Sequence, residues 1–249
     1  NDSSTAKAVV ISGMGNDVTP REGTNWLLGG TAAADRRDIL AIPGQGTGGA
    51  GALVSVLYDA GSSTSELYFQ AGTVGEGGKS VVWGDLIVLS LNTGGYWNMA
   101  WDATDSRLVI FYRDAADSGN GKVIVYQLAA NGLEGGDGDP GTAYDGGTGA
   151  MVGLNPSSAP SITSDGAGRM VCAYSVASDE DFFVDFMDIT GSTTNTAALA
   201  FGGQVSQAGE AAYLVKVAWG GGRGIVIFED STDTWYNFVR AIDHDGSAL

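Results

Sequence analysis

Four apolar runs, each ending in an aromatic residue, punctuate the chain at residues 53–58 (LVSVLY), 108–112 (LVIFY), 170–174 (MVCAY) and 225–228 (IVIF). Their closing aromatics, Tyr58, Tyr112, Tyr174 and Phe228, lie 54, 62 and 54 residues apart, and this near-constant spacing marks an internal repeat. A shorter apolar stretch precedes three of the runs, at 97–102 (WNMAWD), 161–165 (SITSD) and 214–219 (LVKVAW). After a polar turn another stretch follows each run, at 66–71 (ELYFQA), 122–127 (KVIVYQ), 182–187 (FFVDFM) and 235–241 (WYNFVRA). Glycine turns come next, at Gly75, Gly132, Gly191 and Gly246, and in the first three units a weaker fourth stretch such as 79–88. No dozen-residue segment has helical apolar spacing, so these elements read as strands. Four strands in roughly 55 residues is the period of a propeller blade.

The run 108–112 separates this architecture from other β folds. All five residues are apolar, and side chains alternate between the faces of a strand, so both faces have to be buried. A sandwich strand turns one face to water. A parallel sheet covers both but needs long crossovers. A propeller blade is covered on both sides by its neighbours. The sequence therefore predicts an all-β chain, a β-propeller of four-stranded antiparallel blades, about four in number. Residues 1–35 hold one strand at 6–14 and a second at 25–28, and read as an N-terminal extension or closing strand. Residues 36–249 read as the propeller domain. Either the N-terminal strand closes the ring or the chain is part of a longer array.

Composition agrees and narrows the chemistry. Glycine supplies 40 of 249 residues, more than twice the usual share of about 7%, which suits tight turns between short strands. The net charge is −17, from 29 acidic and 12 basic residues, only four of them lysine. Such a surface repels phosphate backbones, so no nucleic-acid partner is expected. No membrane partner is expected either, because no apolar run approaches the span of about 20 residues that a membrane helix needs. The chain opens at Asn1 without a signal-peptide pattern, so a leader is expected to have been removed or never to have existed.

Catalytic candidates are few. His244 is the only histidine and Cys172 the only cysteine, which excludes multi-histidine metal sites, disulfides within the chain and Cys-x-x-Cys pairs. His244 sits in an acidic glycine turn and reads as a solvated loop residue. Cys172 lies inside an apolar run and reads as a packing group. Arg107, Arg169 and Arg223 each stand five residues before a closing aromatic. Sialidase propellers grip a carboxylate with an arginine cluster, but one arginine per repeat at an equivalent place reads as structural pairing with turn acids such as Asp102 and Asp165. The sialidase Asp-box Ser-x-Asp-x-Gly-x-Thr-Trp is not intact here, Ser164-Asp165-Gly166 being a fragment of it. Two segments offer oxygen ligands at alternate positions, Asp137 with Asp139 and Asp243 with Asp245. If a cation binds, calcium at these aspartates is expected; otherwise they are acidic turns, and no other cofactor is expected.

The segment 99–121 (MAWDATDSRLVIFYRDAADSGNG) resembles propeller-type repeats of tail-fibre and other virion proteins of marine and cyanobacterial phages. The matching positions are Ala100, Trp101, Asp102, Tyr112, Asp114, Ser118 and Gly121. The resemblance weakens around Asp165 and Trp219, is poor before residue 50, and carries no catalytic residue. It implies a non-enzymatic structural protein on a virion or other extracellular surface, present in many copies. Such a protein presents propeller loops to other virion or surface proteins, or to a host glycan or receptor. A carbohydrate-active propeller, lectin or glycosidase, and a bacterial surface or filament subunit are the alternatives. Trp26, Trp83 and Trp235 are candidate contact residues, with a core position as the competing reading.

Overall fold

A computed structural model describes residues 7–8, 11–12, 19–20, 26–27, 37–42, 53–59, 67–74, 81–83, 87–89, 96–104, 107–127, 144–145, 160–176, 182–190, 198–207, 212–230 and 236–243. Among these residues all regular structure is β and all pairing antiparallel. The chain divides into two compact units, residues 1–91 with 128–136, and 92–127 with 137–249.

In the first unit, β1 (Lys7–Ala8) pairs with β4 (Trp26–Leu27), and β2 (Ile11–Ser12) with β3 (Thr19–Pro20). The single strand expected over 6–14 is thus two short ones, each with its own partner. β5 (Arg37–Ile42), β6 (Leu53–Asp59) and β7 (Leu67–Val74) form a meander around the first apolar run. The fourth stretch, 79–88, holds two short strands in place of the single one expected. β8 (Val81–Trp83) pairs with one end of β7 and β9 (Ile87–Leu89) with the other.

The second unit holds three consecutive meanders. Sheet I consists of β10 (Trp97–Asp102), β11 (Arg107–Asp114) and β12 (Asn120–Gln127), with β13 (Tyr144–Asp145) pairing briefly at the outer edge. Sheet II consists of β14 (Ser161–Ser164), β15 (Arg169–Ser175) and β16 (Phe182–Thr190), with β17 (Ala198–Gln207) outside it. Sheet III consists of β18 (Ala212–Gly220), β19 (Arg223–Asp230) and β20 (Tyr236–Asp243). In every sheet the apolar run is the central strand. β18 and β19 are joined through Gly221 and Gly222, both at positive φ (62° and 80°), the double left-handed pair of a two-residue hairpin turn that matches strand twist.

The three sheets stack face to face in chain order. The face that a sheet turns to the next is its leading face and the face turned to the sheet before is its trailing face; sheet I meets sheet II, and sheet II meets sheet III, in this leading-to-trailing manner. Between I and II, Val109, Phe111, Val123 and Val125 meet Met170, Cys172, Tyr174 and Met187. Between II and III, Val171, Ala173, Val184 and Phe186 meet Val215, Val217, Val226 and Phe228. Edge-to-face ring pairs cross both interfaces, Phe111 with Tyr174 and Phe186 with Trp219, a geometry favoured by the ring quadrupole. A polar latch repeats as well. Asn98 Oδ1 accepts the Ile162 backbone N–H at 3.0 Å, and Ser161 Oγ accepts the Val217 N–H at 3.1 Å. Asn98 pairs with Phe111 and Ser161 with Ala173, so the two acceptors hold the same place in their sheets.

Residues Leu108, Val109, Ile110, Phe111 and Tyr112 are all buried, as an apolar run without alternation requires. The corresponding run in β19 behaves differently. Val226 and Phe228 are buried, but Ile225 and Ile227 are exposed.

Candidate functional site

The buried polar groups of the second unit are the places where chemistry could reside. Asp102 closes β10 directly opposite Arg107, the first residue of β11. Both side chains are wholly buried. Arg107 donates from Nε and Nη2 to Asp102 Oδ2 at 3.0 and 2.7 Å, and Asp102 Oδ1 accepts the Thr104 N–H. In sheet II, Arg169 Nε reaches Asp165 Oδ2 at 3.2 Å, while Asp165 Oδ1 accepts the N–H groups of Ala167 and Arg169. The expected pairing of repeat arginines with turn acids therefore occurs twice. In sheet III the residue opposite Arg223 across the hairpin is Gly220, and Arg223 is exposed.

The residues that carry the phage-repeat resemblance are occupied by the fold. Ala100, Trp101 and Tyr112 are core, and Asp102 is the buried partner of Arg107. Asp114 Oδ1 accepts the Ala116 N–H, and its Oδ2 pairs with Lys122 at 2.8 Å. Ser118 sits at φ 55° inside that turn, and Gly121 is opposite Arg113 in the ladder. Each position answers a need of strand or turn.

No family model matches the chain, and no curated protein is significantly similar to it.

Asp185 is the group that sequence reasoning missed. It lies in β16 opposite Cys172 and is almost fully buried. The Tyr174 hydroxyl donates to its Oδ2 at 2.6 Å. Burial raises its pKa to about 6, partly offset by the Tyr174 hydrogen bond. The register equivalents of Asp185 are Ile124 in sheet I and Arg240 in sheet III, so the repeat pattern does not call for a carboxylate here. The one sequence signal was a lone acid inside FFVDFM. Cys172 beside it is pushed well above the usual thiol value by burial first and the Asp185 charge second, the state of an unreactive packing thiol.

Asp185 gives a pH prediction. Below about pH 4 its carboxyl holds a proton both folded and unfolded. Between about 4 and 6 only the folded state holds it, and above 6 neither does. The stability associated with the raised value is thus fully present at low pH and lost as pH rises through about 6. Across that window the difference in unfolding free energy between wild type and Asp185→Asn should change by on the order of 3 kcal/mol, with wild type gaining on acidification. Parallel denaturant titrations at pH 4 and 7 test this; a constant difference would contradict it.

Of the sequence-designated aspartates, Asp243 ends β20 opposite Arg223. Asp137, Asp139 and Asp245 lie outside the described residues, as do His244 and Trp235. Trp26 and Trp83 fall in β4 and β8. Among the described residues no three metal-ligating side chains come together.

Proposed function

We propose that the chain is a β-propeller-type repeat protein of four-stranded blades, about four in number. Residues 1–35 form its extension or closing strand and 36–249 its propeller domain. It works by contact, without turning over a substrate, as one of many copies on a virion or other extracellular surface. Its partners are other virion or surface proteins and a host glycan or receptor. What supports this reading above all is the use made of the polar groups: Asp102, Arg107, Asp114, Asp165 and Arg169 are engaged in pairing and turn closure. The net charge of −17 supports a location away from nucleic acid. In this reading a calcium ion, where one binds, is held at Asp137 and Asp139 or at Asp243 and Asp245 and orders a loop.

Two measurements test the proposal together. Quantitative protein analysis of purified particles should find the chain at many copies each, and a broad glycan panel should remain intact after prolonged incubation with the pure protein. Hydrolysis that disappears on aspartate substitution would establish the carbohydrate-active alternative, and absence from every particle fraction would remove the assembly role.

A further inference from the structure

Asp185 occupies a place in the interface between sheets I and II that its neighbours on sheet II give to apolar packing. It stands opposite Cys172 in the ladder of β15 and β16, and side chains opposite one another share a face of the sheet. That face also carries Met170, Tyr174 and Met187, which pack against sheet I. The carboxyl is therefore shut between two sheets, at 2% exposure, with the Tyr174 hydroxyl donating to it at 2.6 Å. A protonated carboxyl suits such a place. A carboxylate, which accepts about four hydrogen bonds in water, is short of donors there and has lost its hydration.

Among the described residues no cation offsets its charge. The titratable groups beside it on β15 are Cys172 and Tyr174, an unreactive thiol and a hydroxyl that donates. On β17, Gln204, Phe201 and Ser206 stand opposite Asp185, Met187 and Phe183, and none of them titrates. β14 contributes Ile162, and sheet I contributes Ala100, Val109, Phe111, Val123 and Val125. By register the charged residues on that face of sheet I are Asp102, Arg107 and Arg113. Asp102 and Arg107 neutralise each other, and Arg113 lies against Gly119 in its own turn.

Two sheets part more readily than two strands. β15 and β16 are joined by a continuous ladder, whereas sheets I and II are joined by side-chain packing and the Asn98 latch. Water therefore reaches the carboxyl at least cost through separation of the two faces. The core between sheets II and III is apolar on both sides and holds no titratable group among the described residues. We propose that Asp185 is a pH-operated release built into the interface between sheets I and II: protonated, it lets the two faces close over it, and ionised, it favours their parting while sheets II and III stay joined.

With the faces together, burial holds the carboxyl at about 6; with the faces apart, water returns it to the ordinary carboxylate value of 3.8. The advantage of the closed form is thus full below about pH 4 and is lost as pH rises through about 6. The interface is held most firmly in mildly acidic surroundings and most loosely near neutrality. The device operates whether or not the chain assembles.

Cys172 reports the opening, since it is fully buried while the faces meet. Its labelling by N-ethylmaleimide in the full chain is to be followed at intervals from pH 5 to 8, each rate divided by that of the urea-unfolded chain at the same pH to remove the ordinary thiol titration. The corrected rate should rise about tenfold from pH 5 to pH 7 in wild type, and should stay level in Asp185→Asn. Tyr174→Phe removes the hydroxyl that favours the carboxylate and should move the rise to higher pH. A reporter in the other interface, Ala173→Cys combined with Cys172→Ala, should give a level corrected rate. A level rate in wild type, an equal rise in Asp185→Asn, or a rise that Tyr174→Phe leaves in place would overturn the proposal. Equal rises at both reporters would overturn it as well, because the proton would then act on the whole unit and not on one interface.

Discussion

Replacing Phe111 with alanine should lower the stability of the second unit by about 3–5 kcal/mol. The ring lies on the leading face of sheet I, fully buried, between Val109 and the trailing face of sheet II, and makes an edge-to-face contact with Tyr174 at a centroid distance of 5.9 Å. Truncation removes that contact and leaves a cavity between two sheets whose backbones are held by ladders on either side, so the gap cannot collapse. Because the same interface is latched by Asn98 and Ile162, the sheets should remain in register while the transition midpoint falls. Urea denaturation followed by near-ultraviolet circular dichroism measures the loss. A change below about 1 kcal/mol would mean that the ring is not confined between the sheets.

Arg107→Met should cost a similar amount, about 3–5 kcal/mol, for an electrostatic reason. The substitution preserves the length and apolar character of the stem but leaves the Asp102 carboxylate wholly buried with the Thr104 N–H as its remaining hydrogen-bond donor of those described above. Removing both charges, as Arg107→Met with Asp102→Leu, should recover most of the loss, since an apolar pair of similar volume is commonly as stable as a buried ion pair. Arg169→Met is the internal comparison. Its side chain is 24% exposed, and Asp165 keeps the backbone N–H groups of Ala167 and Arg169 as donors. That single substitution should therefore cost about 1 kcal/mol, within the range of partly exposed pairs. Equal costs for Arg107→Met and Arg169→Met would contradict this account.

These two predictions draw on features that differ in how openly the sequence displays them. The strand order and the central position of the apolar runs follow from residue pattern alone. Period-two side-chain alternation and glycine-bearing turns act over a few residues, and the spacing of Tyr58, Tyr112, Tyr174 and Phe228 repeats them. The pairing of Arg107 with Asp102 and of Arg169 with Asp165 was legible for the same reason, since each pair spans a single hairpin. The division of 79–88 into two strands, one pairing with each end of β7, was not read from the sequence, where a single fourth strand was expected.

What the sequence determined by itself was therefore local: all-β structure, the hairpin order, and one arginine per repeat beside a turn acid in two sheets of three. Tertiary structure alone decided which faces are covered. The runs LVIFY and IVIF read alike, yet Phe111 is buried and Ile227, at the same place before the closing aromatic, is exposed, because the covering surface belongs to another sheet and is not encoded in the strand it covers. The same holds for Asp185. Its raised pKa arises from burial and from the Tyr174 hydroxyl on the neighbouring strand, and desolvation is a property of the surroundings that a folded chain assembles, which no run of neighbouring residues expresses.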